Sequence, residues 1–304
     1  MAVKPFLSWV GGKRHLIQLT ENVMSSVLSG AAPTRIFSPF IGAGAIELSL
    51  MGRYRHAELY ASDINARLIN TWAQVVANPE RVSDVLVFLD KGGNRQVEIE
   101  RLNAEPAPCT AYDAAAMIWL TKRSFSSLYR VNSKNEFNAA EDTVKRRPLP
   151  SLEDLKALSR LLLSRSLFIH RPFDAILPGF TFGIQEFREG DLIICDPPYL
   201  GTYDGYSGSA WSEGRLMALL KGAHAALEQG AAVLVYELSD TLIRYLLDNP
   251  YPGLEATIYQ RVKSHFVNGA VKTQPQEGIA VLRLAPAMKP IRTKPKAKND
   301  TSDF

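Results

Sequence analysis

A short apolar run that ends in a carboxylate and two prolines constrains the fold more than any other stretch of this chain. Residues 192–195 are too few and too rich in β-branched side chains for a helix, so they predict a buried strand. Asp196 follows, and Pro197 and Pro198 cannot extend a sheet because proline lacks the backbone N–H that the ladder needs. The chain therefore leaves the sheet here. This places Asp196 and Tyr199 at the carboxyl end of a strand, where open α/β sheets bind ligands.

The loop after this strand groups hydrogen-bond acceptors beside an aromatic ring. The two prolines fix their φ angles and leave nearby carbonyls outside the sheet, so a rigid loop presents the Asp196 carboxylate, a backbone carbonyl and the Tyr199 ring together. Such a pocket is polar, flat and rich in acceptors, and it fits an amino group on a planar ring. The structural alternative for Asp196 is a cap of the turn.

The composition is that of an ordinary globular protein. Of 304 residues, 46% are hydrophobic and 22% are charged, which is enough apolar material for one large domain or two smaller ones. No apolar run reaches the length of a membrane-spanning helix and the first residues form no signal-peptide core, so we expect an intracellular protein without a membrane partner. Cys109 and Cys195 lack the paired spacing of a zinc site, so no metal is predicted.

The net charge of +4 and the pI near 9.0 are compatible with a nucleic-acid partner but do not establish one. The end of the chain holds five basic and two acidic residues: Lys289, Arg292, Lys294, Lys296, Lys298, Asp300 and Asp303. Five minus two accounts for three of the four charges, so the rest of the chain is nearly neutral. Residues 286–304 are predicted to be a basic, disordered, solubilising tail, with a non-specific DNA contact as the alternative.

A glycine turn followed by an acid predicts a nucleoside site. Gly42 and Gly44 separate a predicted strand from a helix, so the backbone can approach a ligand at the amino end of that helix. Asp63 ends the next predicted strand, 19 residues after Gly44, where a carboxylate can bind the hydroxyls of a ribose. A tight turn and an N-cap are the structural alternatives for these features. The kind of nucleoside stays open from these residues alone.

The amino-terminal segment offers three groups to a ligand. Gly11 and Gly12 allow close backbone approach, Trp9 offers an aromatic face and Lys13 offers a charge. A loop anchored by its tryptophan is the alternative. The segment on its own is weak evidence for a ligand site.

The middle of the chain, from about residue 76 to 164, has a different character. Its apolar patterns predict three helices, near residues 81–88, 98–102 and 111–120. A fourth helix is predicted after a capping-type entry at Ser151. Residues 121–138 mix basic, aromatic and amide side chains, which can contact phosphates, stack on bases and read base edges. A solvated loop with ordinary packing aromatics is the alternative.

Strands and helices alternate before and after this middle region, so the chain is predicted to form one α/β sheet from both of its ends. The later strands are predicted near residues 167–170, 192–195, 231–236, 256–262 and 278–284. Residues 171–174 are predicted to be a loop, and residues 267–276 a long polar connection between the last two strands.

Four segments occur in an order that resembles a known family. They are residues 6–13 (FLSWVGGK), 39–44 (PFIGAG), 62–65 (SDIN) and 196–199 (DPPY). Together they resemble the Dam-like (D12 class, α-group) DNA adenine-N6 methyltransferases, and residues 128–138 look like that family's R-x-N-x-x-G-x-F-N signature. The resemblance covers roughly residues 4–285. It implies a Rossmann-like sheet of the S-adenosylmethionine-dependent methyltransferase type, with a mostly helical target-recognition domain inserted.

The resemblance implies S-adenosylmethionine as the cofactor. The implied cofactor-binding residues are Trp9, Gly12, Lys13, Phe40, Gly42, Gly44, Asp63, Phe173 and Asp196. Among them, Trp9 and Lys13 are expected at the methionine end or the sulfonium, Asp63 at the ribose and Phe173 at the cofactor adenine. The implied catalytic residues are Asp196, Pro197, Pro198 and Tyr199.

The implied domain division makes residues 1–75 and 165–285 a discontinuous catalytic domain and residues 76–164 the DNA target-recognition domain. DNA contacts are expected from Arg123, Tyr129, Arg130, Asn132, Lys134 and Asn138. The recognition segment departs from the family pattern. Ser126 and Ser127 stand where the family has Asn-Gly, and Asn135 stands where it has Gly. Because this region is expected to touch DNA, the departures bear on the recognised base sequence.

The implied reaction is methyl transfer from S-adenosylmethionine to the N6 amine of a flipped-out adenine in duplex DNA. The adenine amine is a poor nucleophile because its lone pair is delocalised into the ring. Hydrogen bonds to the Asp196 carboxylate and the Pro197 carbonyl are expected to favour a more tetrahedral nitrogen, with Tyr199 stacked on the base.

Other functions stay open from the residues alone. A methyltransferase that acts on RNA or on a glutamine amide has a similar loop, although the basic and aromatic middle region favours nucleic acid. A DNA-binding relative without activity is expected to lack the catalytic acid, and Asp196 is present. An oxidoreductase is disfavoured because the third glycine of the dinucleotide pattern is missing. The resemblance further implies the cytoplasm of a bacterial or phage-infected cell, a monomer or weak dimer, and a cognate restriction endonuclease as a candidate partner.

Overall fold

Seven strands form one sheet in the computed structural model, which describes residues 3–7, 9, 11–28, 31–105, 107–127, 129–177, 186–198, 211–237, 251–267 and 270–285. The strands are β1 (Arg35–Ser38), β2 (Glu58–Asp63), β3 (Ser166–His170), β4 (Asp191–Cys195), β5 (Ala232–Glu237), β6 (Leu254–Val267) and β7 (Ala270–Leu284). Their order in the sheet is β3-β2-β1-β4-β5-β7-β6. The first five of these are parallel, and β7 runs antiparallel to both of its neighbours.

This order confirms the predicted α/β fold with a sheet built from both ends of the chain. Strand β1 pairs on one side with β2 and on the other with β4, which follows it by about 150 residues. The carboxyl ends of β1, β2 and β4 therefore meet at one edge. That edge carries the glycine turn, Asp63 and Asp196.

Nine α-helices are present among the described residues. They are α1 (Ile17–Val27), α2 (Ala45–Arg53), α3 (Ala66–Ala77), α4 (Pro79–Gly92), α5 (Arg95–Ala104), α6 (Ala111–Lys122), α7 (Leu152–Leu162), α8 (Phe173–Ile176) and α9 (Glu213–Glu228). Ser151 begins α7 with the capping box that the sequence predicts, since its side chain accepts from the Asp154 backbone N–H and the Asp154 carboxylate accepts in return. None of the helices in the described part of the chain is both long enough and apolar enough to cross a membrane.

The two faces of the sheet have separate hydrophobic clusters because successive strand residues point in opposite directions. On β4, Leu192 and Ile194 belong to one cluster, whereas Ile193 and Cys195 belong to the other. Helices α8 and α9 cover the second face. Burial raises the pKa of the Cys195 thiol, which suits a packed hydrophobe rather than a reactive thiol.

The helices of the middle region share the core of the sheet. Buried side chains of α4, α5, α6 and α7 belong to the same cluster as Leu192 and Ile194 of β4. Residues such as Leu86, Met117 and Leu155 are at most 2% exposed in this cluster. Residues 76–164 are therefore anchored on one face of the sheet through a continuous apolar core.

Two local predictions are wrong. The predicted loop at 171–174 contains the start of α8, because Phe173 and Ile176 turn inward to pack on the second face. The predicted polar connection at 267–276 is mostly strand, since β6 extends to Val267 and β7 begins at Ala270. Its polar residues pair across the two strands, as in Lys263 with Gln274. The intervening residues are Asn-Gly, a sequence signal for a two-residue hairpin connection.

Candidate active site

An open cleft lies at the carboxyl edge of the sheet. Its lining comes from the amino-terminal segment, the β1–α2 turn, β4 and β5: Trp9, Gly11, Gly12, Lys13, Phe40, Ile41, Gly42, Ala43, Gly44, Ala45, Ile46, Glu47, Ile194, Asp196 and Tyr236. Most of the residues predicted to bind the cofactor thus meet the predicted catalytic acid in one cleft.

An ion pair joins the two ends of this site. Lys13 Nζ lies 2.8 Å from Asp196 Oδ1, and it also donates to the Gly11 carbonyl at 2.6 Å. The Lys13 side chain is only 4% exposed, whereas that of Asp196 is 28% exposed. The lysine therefore fixes the carboxylate from the inside while part of the carboxylate stays open to the cleft. Pro197 is buried and Pro198 is half-buried, and Tyr199 lies outside the described residues.

The glycine turn between β1 and α2 requires its glycines. Gly42 and Gly44 have φ angles of +46° and +65°, a region that disfavours other residues. A Cβ on Gly44 would lie 2.7 Å from the Trp72 ring, and one on Gly42 would lie 3.2 Å from Trp9. Trp72 also donates its indole N–H to the Gly42 carbonyl at 2.9 Å. The turn is therefore a rigid backbone surface open to a ligand on its cleft side.

Asp63 ends β2 beside this turn. Its Oδ1 accepts from the Asn65 backbone N–H at 2.9 Å, and its Oδ2 lies 3.4 Å from the Gly42 backbone N. The N-cap of α3 is Asn65, whose side chain accepts from the Leu68 N–H at 3.0 Å. Asp63 is therefore not the N-cap of α3, which was its structural alternative. Its half-buried carboxylate stands next to the glycine turn, which suits a hydroxyl-binding acid.

A cluster of three aromatic rings lies at the cleft, and Phe40 is its member in the lining. Phe40 lines the cleft and stacks on Phe173 with ring centroids 5.3 Å apart. Trp211 packs against both rings at 5.8 and 5.3 Å. Phe173 is buried behind Phe40, so it supports the wall in this structure rather than lining the cleft itself. No motif in the sequence points to Trp211.

Two buried titratable side chains of the cleft, Glu47 and Tyr236, were not predicted from the sequence. Glu47, in the first turn of α2, is 4% exposed and accepts a hydrogen bond from Ser38 Oγ at 2.7 Å. Burial raises the pKa of its carboxyl to about 7; hydrogen bonds from its own backbone and from Ser38 oppose this, and the nearby Asp196 charge adds to it. Burial likewise raises the pKa of Tyr236, whose hydroxyl lies 2.8 Å from Thr20 Oγ1. The signal for Glu47 was an acid within an otherwise apolar predicted helix.

Two of the predicted DNA-binding residues lie inside the protein. Arg123 is 7% exposed, pairs with Asp90 at 2.5 Å and donates to the Arg147 carbonyl at 2.7 Å. Tyr129 is 1% exposed, and its ring stacks on Trp9 with centroids 5.0 Å apart. In this structure both side chains pack inside the protein and are not accessible to a ligand.

The other four lie on a small loop, which we call the recognition loop (residues 129–138). Val131 and Phe137 pair across it, and the Asn132 side chain accepts from the backbone N–H groups of Lys134 and Glu136. Asn132 is therefore half-buried and organises the loop. The exposed residues of the loop are Arg130, Ser133, Lys134, Asn135, Glu136 and Asn138, and Phe125 is 65% exposed just before it.

The residues that depart from the family signature have left-handed backbone conformations. Ser126, Ser127 and Asn135 have φ angles of 56°, 53° and 61°, the left-handed region that glycine and asparagine adopt most readily. All three positions are thus in a conformation that glycine adopts without strain. Side-chain groups are added where the family pattern has glycine.

Comparisons with known proteins agree with this geometry. A family model described as D12 class N6 adenine-specific DNA methyltransferase matches residues 9–264. The chain is 28% identical over 210 residues to Type II methyltransferase M1.LlaDCHI of Lactococcus lactis subsp. cremoris, which covers 65% of this chain and 66%, about two thirds, of that protein. It is 28% identical over 211 residues to Type II methyltransferase M.MjaIII of Methanocaldococcus jannaschii, covering 66% and 70% of the two chains. It is 26% identical over 296 residues to a DNA adenine methylase of Haemophilus influenzae, covering 92% of both.

The family match extends from Trp9, on one side of the cleft, past Asp196, on the other. It therefore includes the glycine turn, the ion pair and the recognition loop, and it confirms the resemblance that the sequence predicts. This chain belongs to the D12 class of N6 adenine-specific DNA methyltransferases.

Proposed function

We propose that Asp196 and the Pro197 carbonyl bind the target amine in this enzyme, which transfers a methyl group from S-adenosylmethionine to the N6 amine of adenine in duplex DNA. The observation that carries the assignment is the Lys13–Asp196 ion pair at the edge of a cleft lined by the glycine turn. It joins the acceptor for the amine to the backbone surface for the cofactor. Methyl transfer requires both the acceptor for the amine and the surface for the cofactor.

The residues of the cleft fit the cofactor. The close approach of Trp9 and Trp72 to the two glycines leaves a smooth backbone surface on the cleft side, which a single Cβ at Gly44 would disrupt. Asp63 supplies a carboxylate for the ribose hydroxyls beside that surface, and Phe40 supplies an aromatic wall. When bound, S-adenosylmethionine supplies an electrophilic methyl group. Trp9 and Lys13 hold the end of the cleft that is nearest Asp196.

The chain activates the amine by position and electrostatics. Asp196 and the Pro197 carbonyl each accept one N–H of the amine, so the nitrogen lone pair turns out of the ring plane and becomes available for attack. Lys13 restricts the Asp196 carboxylate to one orientation through the 2.8 Å contact. The N–CH3 bond would form as the S–CH3 bond of the sulfonium breaks, which would leave S-adenosylhomocysteine; the nitrogen would then lose one proton to solvent, and no cysteine nucleophile takes part. The base must leave the helix to reach Asp196, and Tyr199 is the proposed stacking partner.

Residues 76–164 serve as the target-recognition domain in this proposal, and residues 1–75 with 165–285 as the catalytic domain. Arg130, Lys134 and Asn138 are the direct contacts to DNA, because the recognition loop exposes them. Asn132 shapes the loop, and Arg123 and Tyr129 support it from inside. The proposed setting is the cytoplasm, with the enzyme as a monomer or weak dimer and a cognate restriction endonuclease as a candidate partner.

The deciding experiment incubates the purified protein and its Asp196→Ala variant with radiolabelled S-adenosylmethionine and, separately, duplex DNA, RNA and protein. We expect label in duplex DNA alone, in acid-stable N6-methyladenine, and none with the variant, which still binds S-adenosylhomocysteine. Label in RNA or protein, or turnover by the variant, would refute the proposal. Sequencing of methylated DNA from cells that express the protein identifies the recognised site.

A further inference from the structure

Tyr129 connects two parts of the molecule that the reaction must use together. Its ring stacks on Trp9 at 5.0 Å with an interplanar angle of 18°, and it is 1% exposed. Trp9 lines the cleft and lies against Gly42, since a Cβ on that glycine would come within 3.2 Å of the indole. The indole is thus held between the glycine turn on one side and a tyrosine of the recognition loop on the other.

The hydroxyl end of the same tyrosine is tied to the far part of the loop. Arg67 Nη1 lies 3.2 Å from Tyr129 Oη and donates to the Asn135 carbonyl at 3.1 Å. Arg67 belongs to α3 and is 6% exposed, so its guanidinium exchanges these partners only at a substantial desolvation penalty. Asn135 has a φ angle of 61° and lies between the paired residues Val131 and Phe137. The position of Tyr129 therefore depends on the folded form of the loop.

We propose that Tyr129 is a positioning residue that couples the recognition loop to the cofactor cleft. It sets the Trp9 ring against Gly42 only while the loop is folded, so that DNA on the loop and cofactor in the cleft raise each other's affinity. The coupling is reciprocal because both ligands favour the same arrangement of Trp9, Tyr129 and Arg67. This role rests on the proposed function for the identity of the two ligands.

Two variants separate the stack from the hydrogen bond. Tyr129→Leu removes the aromatic stack on Trp9, and Tyr129→Phe keeps the ring but removes the hydroxyl that contacts Arg67. Tyr112→Leu is the matched control, because Tyr112 is a part-buried tyrosine whose described contacts are to Glu98 and Arg101. Calorimetry measures the binding of S-adenosylhomocysteine to each protein twice, once without DNA and once with a duplex that carries the site identified by sequencing.

We expect the duplex to tighten the binding of S-adenosylhomocysteine by about fivefold or more in the unmodified protein. Tyr129→Leu should raise the Kd without DNA about threefold to tenfold and bring the ratio of the two Kd values close to one. Tyr129→Phe should leave the Kd without DNA within about twofold and still reduce that ratio. The control should change neither value. In a Trp9→Ala background, Tyr129→Leu should have no further effect, since the two residues then no longer touch.

Failure of the unmodified protein to bind S-adenosylhomocysteine would refute the proposed function itself. If the unmodified protein binds but shows no difference with DNA, or if Tyr129→Leu lowers only the melting temperature and leaves both Kd values unchanged, Tyr129 is an ordinary core residue and the coupling role is overturned. Should Tyr129→Leu fail to fold, Tyr129→Phe decides the matter, because an unchanged ratio in that variant contradicts the link through Arg67.

Discussion

The cofactor cleft and the recognition loop are built in opposite ways. In the cleft, the positive φ angles at Gly42 and Gly44 and the part-buried Lys13–Asp196 ion pair restrict the groups that line it. In the loop, Asn132 holds the backbone, whereas the side chains of Arg130, Lys134 and Asn138 are exposed. Under the proposed function, the cleft serves the methyl transfer that is common to every target site, and the exposed side chains of the loop serve contacts that differ with the DNA sequence. Changes in the two regions should affect different measured quantities.

The largest effect is expected at the acid of the cleft. Asp196→Asn should lower kcat about a hundredfold to a thousandfold, because an amide offers the target amine a weaker acceptor than a carboxylate does. Single-turnover methylation of duplex DNA measures this, and the Kd for DNA should change little. The control lies at the other end of the same strand, where Asp191 is buried and paired with Arg35. Asp191→Asn should lower stability by about 3 kcal/mol and leave the kcat of the folded protein unchanged. Equal losses of kcat in the Asp196→Asn and Asp191→Asn variants would contradict a specific role of Asp196 in the reaction.

The second effect concerns the rigidity of the turn. Gly44→Ala should destabilise the protein by about 3 kcal/mol and abolish cofactor binding, because the new Cβ would lie 2.7 Å from Trp72 at a φ angle of +65°. Gly52→Ala is the matched control in the same helix region, since nothing lies within 4 Å of its added Cβ. It should be neutral or stabilising by up to about 1 kcal/mol. Urea unfolding and calorimetric titration test both variants, and a stable, cofactor-binding Gly44→Ala protein would show that the turn is not rigid.

The third effect depends on pH. The pKa of Glu47 is raised from 4.5 to about 7 by burial, so between these values the carboxyl is protonated in the folded protein and ionised in the unfolded chain. Unfolding then releases a proton, so the free energy of unfolding falls as the pH rises. The fall ends above pH 7, where the carboxyl is ionised in both states. Glu47→Gln has no such pH dependence and keeps an acceptor for Ser38. Its stability relative to the unmodified protein should grow by about 2 kcal/mol between pH 5 and pH 8, as thermal melts measure. A constant difference across this range would mean that Glu47 is not buried in an acid form.

The smallest effect is expected at the loop. Lys134→Ala should weaken DNA binding severalfold and reduce the slope of log K against log salt by about one, because one phosphate contact is lost. The Kd for S-adenosylhomocysteine without DNA should not change. Lys221→Ala, an exposed lysine on α9, is the control and should leave both quantities unchanged. Fluorescence anisotropy over a salt series measures the slope. A changed cofactor affinity in Lys134→Ala would contradict the expectation that this exposed lysine affects DNA binding alone.

Much of the fold follows from local patterns, because alternating apolar strands and capped helices carry their own signals. The α7 capping box at Ser151 and the end of β2 at Asp63 lie where the sequence predicts them. The motifs also predict which residues meet in the cleft, since the carboxyl ends of neighbouring parallel strands share one edge. The hairpin of β6 and β7 was shortened in the prediction because its polar composition outweighed the Asn-Gly signal.

The direction in which a side chain points was harder to predict. Tyr129 and Arg123 have the residue types of a DNA surface, but they are buried by Trp9 and Asp90, which lie far away in sequence or on another helix. Glu47 escaped notice because its partner Ser38 lies on the preceding strand, across the glycine turn. Such pairings depend on the three-dimensional packing of several elements and leave no periodic trace in the chain.

The central position of β1 has a consequence for the synthesis of the protein. Its pairing partner β4 begins at Asp191, more than a hundred residues after β2 ends at Asp63. At about 5–20 residues per second, a ribosome needs roughly ten seconds to supply that partner, during which one edge of β1 has no strand to pair with. Ordered translation therefore leaves the amino-terminal half as an incomplete sheet that other chains can join. The cleft is also incomplete during this interval, because Asp196 follows β4 and Tyr236 belongs to β5.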